Sequence, residues 1–365
     1  MSRRTNFINN ILVMAFTIIG LIGVVLVSNS NYSASMGEIL AFFAAGALIA
    51  GLVCTLFHEL GHLIAGKRNG FAFLSMTVWF FKWSVERGKI VFDFVMIGNE
   101  AGYTEMVAKS TDDLPVRLKK MTLGGLIATA IPMLLGIVPF FFAGKMSLFA
   151  FAALAMFLPI GIYMFFGNAL PMSTDGAGND GKVLYGIKRM DDDTKVILSM
   201  LAVQSELFNG KTPSEIDEKY YFNVPQLAED DLNFAMLLSA RYDYYLDKKD
   251  YENAEKTSDR LLSLSDYLPK EYILVAKTNA LYNACTFAKD EERADDLMYE
   301  LEKYLNKRNG SLEIRAKTAY LLYIKGEKEL LDAFYKKGVT EANRAGLRGL
   351  GLFERKLLEE MKKDF

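Results

Sequence analysis

Apolar and polar positions divide this chain into two halves of different character. Up to about residue 190, long apolar runs alternate with short polar connections, and windows of spanning length occur at about 7–27, 39–65, 121–142 and 148–167. About 20 apolar residues suffice for a helix to cross a hydrocarbon core. From about residue 191 onward, apolar positions recur with a helical period among charged ones, as in water-soluble amphipathic helices. The expected fold is mainly α: a polytopic membrane protein with about four transmembrane helices over 1–190, and a soluble α-helical domain over 191–365.

The segment 66–120 is too polar to span. Phe73 to Val95 is rich in aromatic and β-branched residues, and Glu86-Arg87-Gly88-Lys89 divides it. This pattern predicts a small cytoplasmic β-hairpin within about 71–100, with strands near 73–84 and 90–96. Trp79, Phe80, Phe81 and Trp83 suit a membrane–water interface, where aromatic rings are favoured. The ribbon either offers an open edge to an extended substrate or is a plain structural hairpin.

In the second half the periodicity predicts helix pairs near 231–247 with 251–265, 270–287 with 290–307, and 311–325 with 327–337, then a last helix to about 362. Ala254 and Ala294 fall about 40 residues apart at similar places in their pairs. This resembles tetratricopeptide-type repeats with a longer period than usual; an ordinary helical bundle is the competing reading. Tyr242, Tyr244, Tyr245 and Tyr282 would line a concave surface for a substrate tail or protein partner, or else pack between helices.

Composition fits this division, with 51% hydrophobic and 24% charged residues and a mean hydropathy of +0.13. A net charge of −2 gives no indication of nucleic acid as a partner. Cys54 and Cys285 fall in different halves and suggest no disulfide framework. The first apolar stretch lacks a small-residue cleavage site and reads as a membrane helix, not a signal peptide. Arg3 and Arg4 precede it, and Lys and Arg crowd the 66–120 segment and follow the fourth span. The positive-inside rule therefore places both termini and the 66–120 segment in the cytoplasm.

Within the second span stands His58-Glu59-Leu60-Gly61-His62, which contains both histidines of the chain. Four residues apart on a helix, the two imidazoles share a face and can reach one metal ion, with Glu59 as general base toward a metal-activated water. Glu59 is also the only carboxylate in the span, and an ionisable group placed in a membrane helix marks a functional site. Catalytic zinc usually takes three protein ligands, so the third here must be a carboxylate or, less readily, a cysteine. Asp175-Gly176 and Asp180-Gly181 follow the fourth span on the same membrane face as the histidines, although Asp-Gly pairs are also ordinary surface turns.

The run Phe57-His58-Glu59-Leu60-Gly61-His62, with Asn168-x-x-Pro171 and Asp180-Gly181 after a later span, resembles the site-2 protease family of intramembrane zinc metalloproteases. The resemblance covers roughly residues 39–190. It implies His58, His62 and Asp180 as zinc ligands with Asp175 as the rival, Glu59 as base, and Asn168 and Pro171 as auxiliary site residues. The chain departs from that pattern in two places. Asn168 and Asp180 are further apart than is usual, and Thr129 stands after Gly124-Gly125 where the family carries an asparagine. The expected function is an intramembrane zinc endopeptidase of the bacterial plasma membrane, acting on a membrane protein or peptide. The alternatives are a membrane zinc protease with Glu100 or Glu105 as third ligand, and a non-catalytic scaffold displaying the helical domain to a partner.

Overall fold

The computed structural model describes residues 3–86, 88–96, 101–174 and 177–365. The chain divides into two compact units at Asp191–Asp192, with residues 86–88 and 107–112 grouped with the second. In the first unit four segments are long and apolar enough to cross a membrane: Thr5–Asn31, Met36–Arg68, Leu114–Phe142 and Leu148–Ala169.

These segments comprise α1 (Arg3–Asn31), α2 (Met36–Arg68), α3 (Leu114–Leu135) with a following 3-10 turn, and α4 (Leu148–Ala155) continuing into α5 (Phe157–Ala169). Local capping, which hydropathy does not register, sets their ends. Ser35 Oγ accepts from the Glu38 N–H and Glu38 Oε2 accepts from the Ser35 N–H, so a capping box opens α2 before its apolar run begins. At the other end α2 stops at Asn69, and Gly70 turns the chain with a positive φ of 77°. Arg117 locks that turn: its Nε and Nη2 donate to the carbonyls of Asn69 and Gly70 at 2.7 and 2.6 Å. Pro132 cannot donate within α3, which ends one turn later. Large apolar side chains such as Ile19, Leu48, Ile127 and Phe141 lie on the exposed faces of these helices.

Between α2 and α3 lies a small antiparallel sheet of β1 (Phe71–Val78), β2 (Phe81–Glu86), β3 (Lys89–Phe94) and β4 (Gly102–Ala108), in the order β3-β2-β1-β4. The single strand expected over 73–84 is in fact two. The chain reverses at Trp79–Phe80, pairing Val78 with Phe81 and Met76 with Trp83. Trp79 takes a left-handed φ of 56° there. Because no Gly, Asn or Asp marks this turn, the aromatic run conceals it. The fourth strand, β4, lies beyond the expected hairpin. Rings of β2 and β3 gather beside the turn, with Phe80–Phe81 and Phe92–Phe94 centroids 4.3 and 5.2 Å apart. After α5 come the two-residue strands β5 (Ser173–Thr174) and β6 (Ala177–Gly178), then α6 (Asp180–Arg189).

The second unit is helical: α7 (Asp192–Phe208), α8 (Lys219–Phe222), α9 (Leu232–Asp247), α10 (Tyr251–Ser263), α11 (Lys270–Thr286), α12 (Glu291–Lys307), α13 (Ser311–Tyr320), α14 (Leu331–Ala342) and α15 (Arg348–Lys362). The spacing between Ala254 and Ala294 corresponds to a repeated local structure. Lys249 and Lys289 turn with φ of 61° and 52°. Asp250 and Asp290 then cap α10 and α12 by accepting from the N–H groups of Asn253 and Arg293. Ala254 and Ala294 follow, both fully buried. The third pair departs from this, since α13 runs into a π turn at Leu321–Lys325 and α14 begins only at Leu331.

Of the two places open to the four tyrosines they take the one between helices: Tyr242, Tyr244 and Tyr282 are buried, and Tyr245 packs against the core that holds Tyr242 and Tyr282. Tyr242 and Tyr282 lie in the core around a polar cluster centred on Arg315, whereas Tyr244 packs against Tyr221 and Phe222 of α8. Arg315 is 0% exposed, with Nε 3.0 Å from Glu354 Oε2, Nη2 donating to Asn279 Oδ1 at 3.0 Å, and its guanidinium 4.2 Å above the Tyr282 ring. Half-buried Asp243 sits beside it. Burial and then the negative charge of Glu354 push its carboxyl up to about 7, against the opposing pull of Arg315.

Removing one member of such a buried pair strands the other charge. Glu354→Ala should therefore cost the second unit about 3–5 kcal/mol in denaturant unfolding, whereas Glu252→Ala, which breaks an exposed pair with Lys256, should leave the midpoint unchanged. Asp243 holds its proton more tightly folded than unfolded, where its pKa is about 4. It therefore makes stability fall as pH rises from about 4 to about 7. Asp243→Asn should flatten that part of the curve, and an unchanged slope of melting temperature against pH would refute the assignment.

Candidate metal centre

α2 carries His58 and His62 on one face, with ring centroids 4.6 Å apart and the planes at 88°. α3 runs against it with glycine meeting glycine. A Cβ at Gly61 would fall 2.6 Å from Ala128 Cβ and 2.8 Å from the carbonyl carbon of Gly124, and one at Gly124 would fall 3.1 Å from that of Gly61. Gly125 lies directly under the His62 ring, where a Cβ would come within 2.9 Å of Cδ2. Small residues of this kind let helix backbones touch, and here the contact brings hydrogen-bonding groups of α3 to both imidazoles.

Those groups fix the tautomers. Thr129 Oγ1 donates its one proton to the Gly125 carbonyl at 2.9 Å, so it must accept from His58 Nδ1, 2.8 Å away. His62 Nδ1 lies 3.1 Å from the Met121 carbonyl oxygen, which can only accept. Both rings therefore carry hydrogen on Nδ1 and turn an Nε2 lone pair inward, the arrangement found for metal-binding histidines. Both Nε2 atoms then face the same point, 3.2 Å apart.

α6 brings the third donor. Asp180 is its first residue, following the Asn179 cap, at a helix end that favours negative charge. Gly181 explains the Asp-Gly pair: a Cβ there would fall 2.7 Å from the carbonyl carbon of Ala169 and 2.8 Å from that of Leu170. Asp180 Oδ2 reaches 3.5 Å from His58 Nε2 and 3.2 Å from His62 Nε2, and it is buried without a hydrogen-bond donor. Three acceptor atoms converging on one point repel one another unless a cation lies among them. His58, His62 and Asp180 are the group among the described residues that could hold a metal ion.

The other residues singled out in the sequence take varied places. Glu59 is buried beside the histidines, with Thr104 Oγ1 of β4 2.6 Å from its Oε2. β4 passes so close that a Cβ on Gly102 would lie 2.6 Å from Glu59 Oε1. Asn168 Nδ2 donates back to the Met164 carbonyl at 3.0 Å, and the Pro171 carbonyl accepts from Asn9 Nδ2 at 2.9 Å. Glu105 accepts from Ser75 Oγ at 3.0 Å and is not one of the three converging groups. Cys54 is buried within α2 and likewise is not one of them. Asp175 and Glu100 lie outside the described residues.

Thr104, Asn179 and the Met121 carbonyl stand in no motif of the sequence, and Thr129 enters there only as a departure from the family pattern. Two of these had a visible signal. Thr129 is a polar residue one helical turn after Gly125, and Asn179 precedes the Asp-Gly pair as a ready helix cap. No family model, curated protein or solved structure matches the chain.

Thr129→Val removes the acceptor of the His58 Nδ1 proton without much change in volume. Metal affinity in a chelator-competition titration should fall about 10- to 100-fold, while Thr129→Ser stays near the parent.

Proposed function

We propose that the chain is an intramembrane zinc endopeptidase of the site-2 protease type, with His58, His62 and Asp180 as ligands and Glu59 as general base. The observation that carries this reading is the spacing of the three donor atoms, 3.2, 3.2 and 3.5 Å. Ligands about 2.0–2.1 Å from a tetrahedral zinc lie about 3.3–3.4 Å apart. Two imidazoles and one carboxylate are a donor set typical of catalytic zinc, which keeps its fourth position for water or substrate.

Bound there, zinc would supply Lewis acidity toward a peptide carbonyl and make a water acidic near neutral pH. Glu59 then accepts the proton of the attacking water and delivers it to the nitrogen of the departing amine. Thr104 holds one oxygen of that carboxylate and so orients the other. The buried surroundings of Glu59 exclude bulk water from the scissile bond. β3 lies at an edge of the sheet and presents exposed Ile90, Phe92 and Phe94, features that suit pairing with an extended, apolar substrate segment.

The apolar exposed faces of the four long helices support their insertion in a bilayer. The charge pattern supports cytoplasmic termini, and the compact size and topology support a bacterial plasma membrane. The repeated Lys-Asp turn and buried alanine support a tetratricopeptide-like second domain that engages a protein partner. Because Tyr242, Tyr244 and Tyr282 are interior, any such partner would use other residues.

Two substitutions separate the ligand from the base. The parent in detergent should hold about one zinc, lost in Asp180→Ala and kept in Glu59→Gln, while hydrolysis of a membrane-peptide substrate disappears in both. Zinc retained in Asp180→Ala would return the third ligand to Asp175 or Glu100. Hydrolysis persisting in Glu59→Gln would end the proposed role of the base.

A further inference from the structure

The segment that carries Asp180 from α5 to α6 is held by one side chain whose hydrogen-bonding capacity is fully used. Asn179 Oδ1 accepts from the N–H groups of Met172 and Lys182, each at 3.0 Å. Its Nδ2 donates to the carbonyls of Gly167 at 2.6 Å and Leu170 at 2.7 Å. An asparagine side chain has two donors and two acceptor sites, so none remains unused.

The partners explain the arrangement. Within α5 the Gly167 carbonyl would be bonded by the N–H of residue 171, but that residue is Pro171 and has none. A helix end leaves such carbonyls without partners, and Asn179 supplies the missing donor. The same side chain caps the first turn of α6 through Lys182 N–H. One residue thus ties the end of α5 to the beginning of α6 and sets the backbone from which Asp180 projects. On its other side the segment is fastened to α1. Asn6 pairs with both backbone groups of Ser173, at 3.0 and 3.3 Å, and Asn9 donates to the Pro171 carbonyl.

We propose that Asn179 is a positioning residue of the metal centre: it fixes Asp180 against His58 and His62 by joining two helix ends, with Asn6 and Asn9 holding the segment from α1. This gives Pro171 an indirect role, since its missing N–H creates the acceptor that Asn179 fills. The inference rests on reading His58, His62 and Asp180 as ligands.

The test compares the full-length parent with Asn179→Ala and Asn179→Ser in detergent, on monodisperse protein. Zinc affinity is read by chelator competition, and ligand geometry by the absorption of the cobalt-substituted form. Serine retains the cap on the Lys182 N–H but cannot donate to both carbonyls, so it preserves the helix while removing the tie. Both variants should bind zinc about 10- to 100-fold more weakly and show an altered cobalt band. Parent-like affinity and an unaltered band in Asn179→Ser would overturn the proposal, because capping alone would then suffice. A parent that binds zinc no better than Asp180→Ala would instead show that Asp180 is no ligand, a failure of the underlying reading and recognisable as such.

Discussion

The contact between Gly61 and Gly124 is the constraint on which the candidate centre depends. Two helices approach until backbone meets backbone, and only at that distance can Thr129 and the Met121 carbonyl reach the outer nitrogens of His58 and His62. A side chain at either glycine would force the helices apart and leave two buried N–H groups without acceptors, a penalty of about 1–3 kcal/mol each. The tautomers would then be set by whatever water could enter. Helix packing and ligand chemistry are thus one problem in this chain, solved by residues that carry no functional group.

The centre is assembled from three distant stretches, and their legibility in the sequence differs for physical reasons. The histidine pair could be read directly, because a helical repeat of four fixes which side chains share a face. The apolar windows could also be read, since span length is a property of composition. The choice of Asp180 depended on resemblance, because its position follows from how Asn179 and Gly181 close the junction between α5 and α6, a long-range packing matter. The turn at Trp79–Phe80 escaped notice because its residues are the strand formers that flank it on both sides. The place of the four tyrosines, on a concave surface or between helices, stays open in the sequence for a related reason: periodicity says which residues share a face of a helix, but not which of its faces another helix will cover.

The two units answer the problem of buried charge differently. In the first, two imidazole nitrogens and a carboxylate oxygen converge where they could hold a cation. In the second, Arg315 is supplied by the chain itself and is surrounded by Glu354, Asn279 and the face of Tyr282. The former arrangement suits an exchangeable occupant. The latter defines a fixed interior, in which removing either partner would leave a buried charge uncompensated.

The sheet has a consequence of a different kind. β3 is an edge strand, and on it Ile90, Phe92 and Phe94 are exposed. Natural sheets usually protect such edges with charge, proline or a bulge, because an uncovered apolar edge is a template for further strands. Lys89 and Asp93 are the charged residues on this one. Facing water with neither lipid nor partner against it, the strand would recruit its own copies, so the colloidal behaviour of the isolated protein depends on what covers this edge.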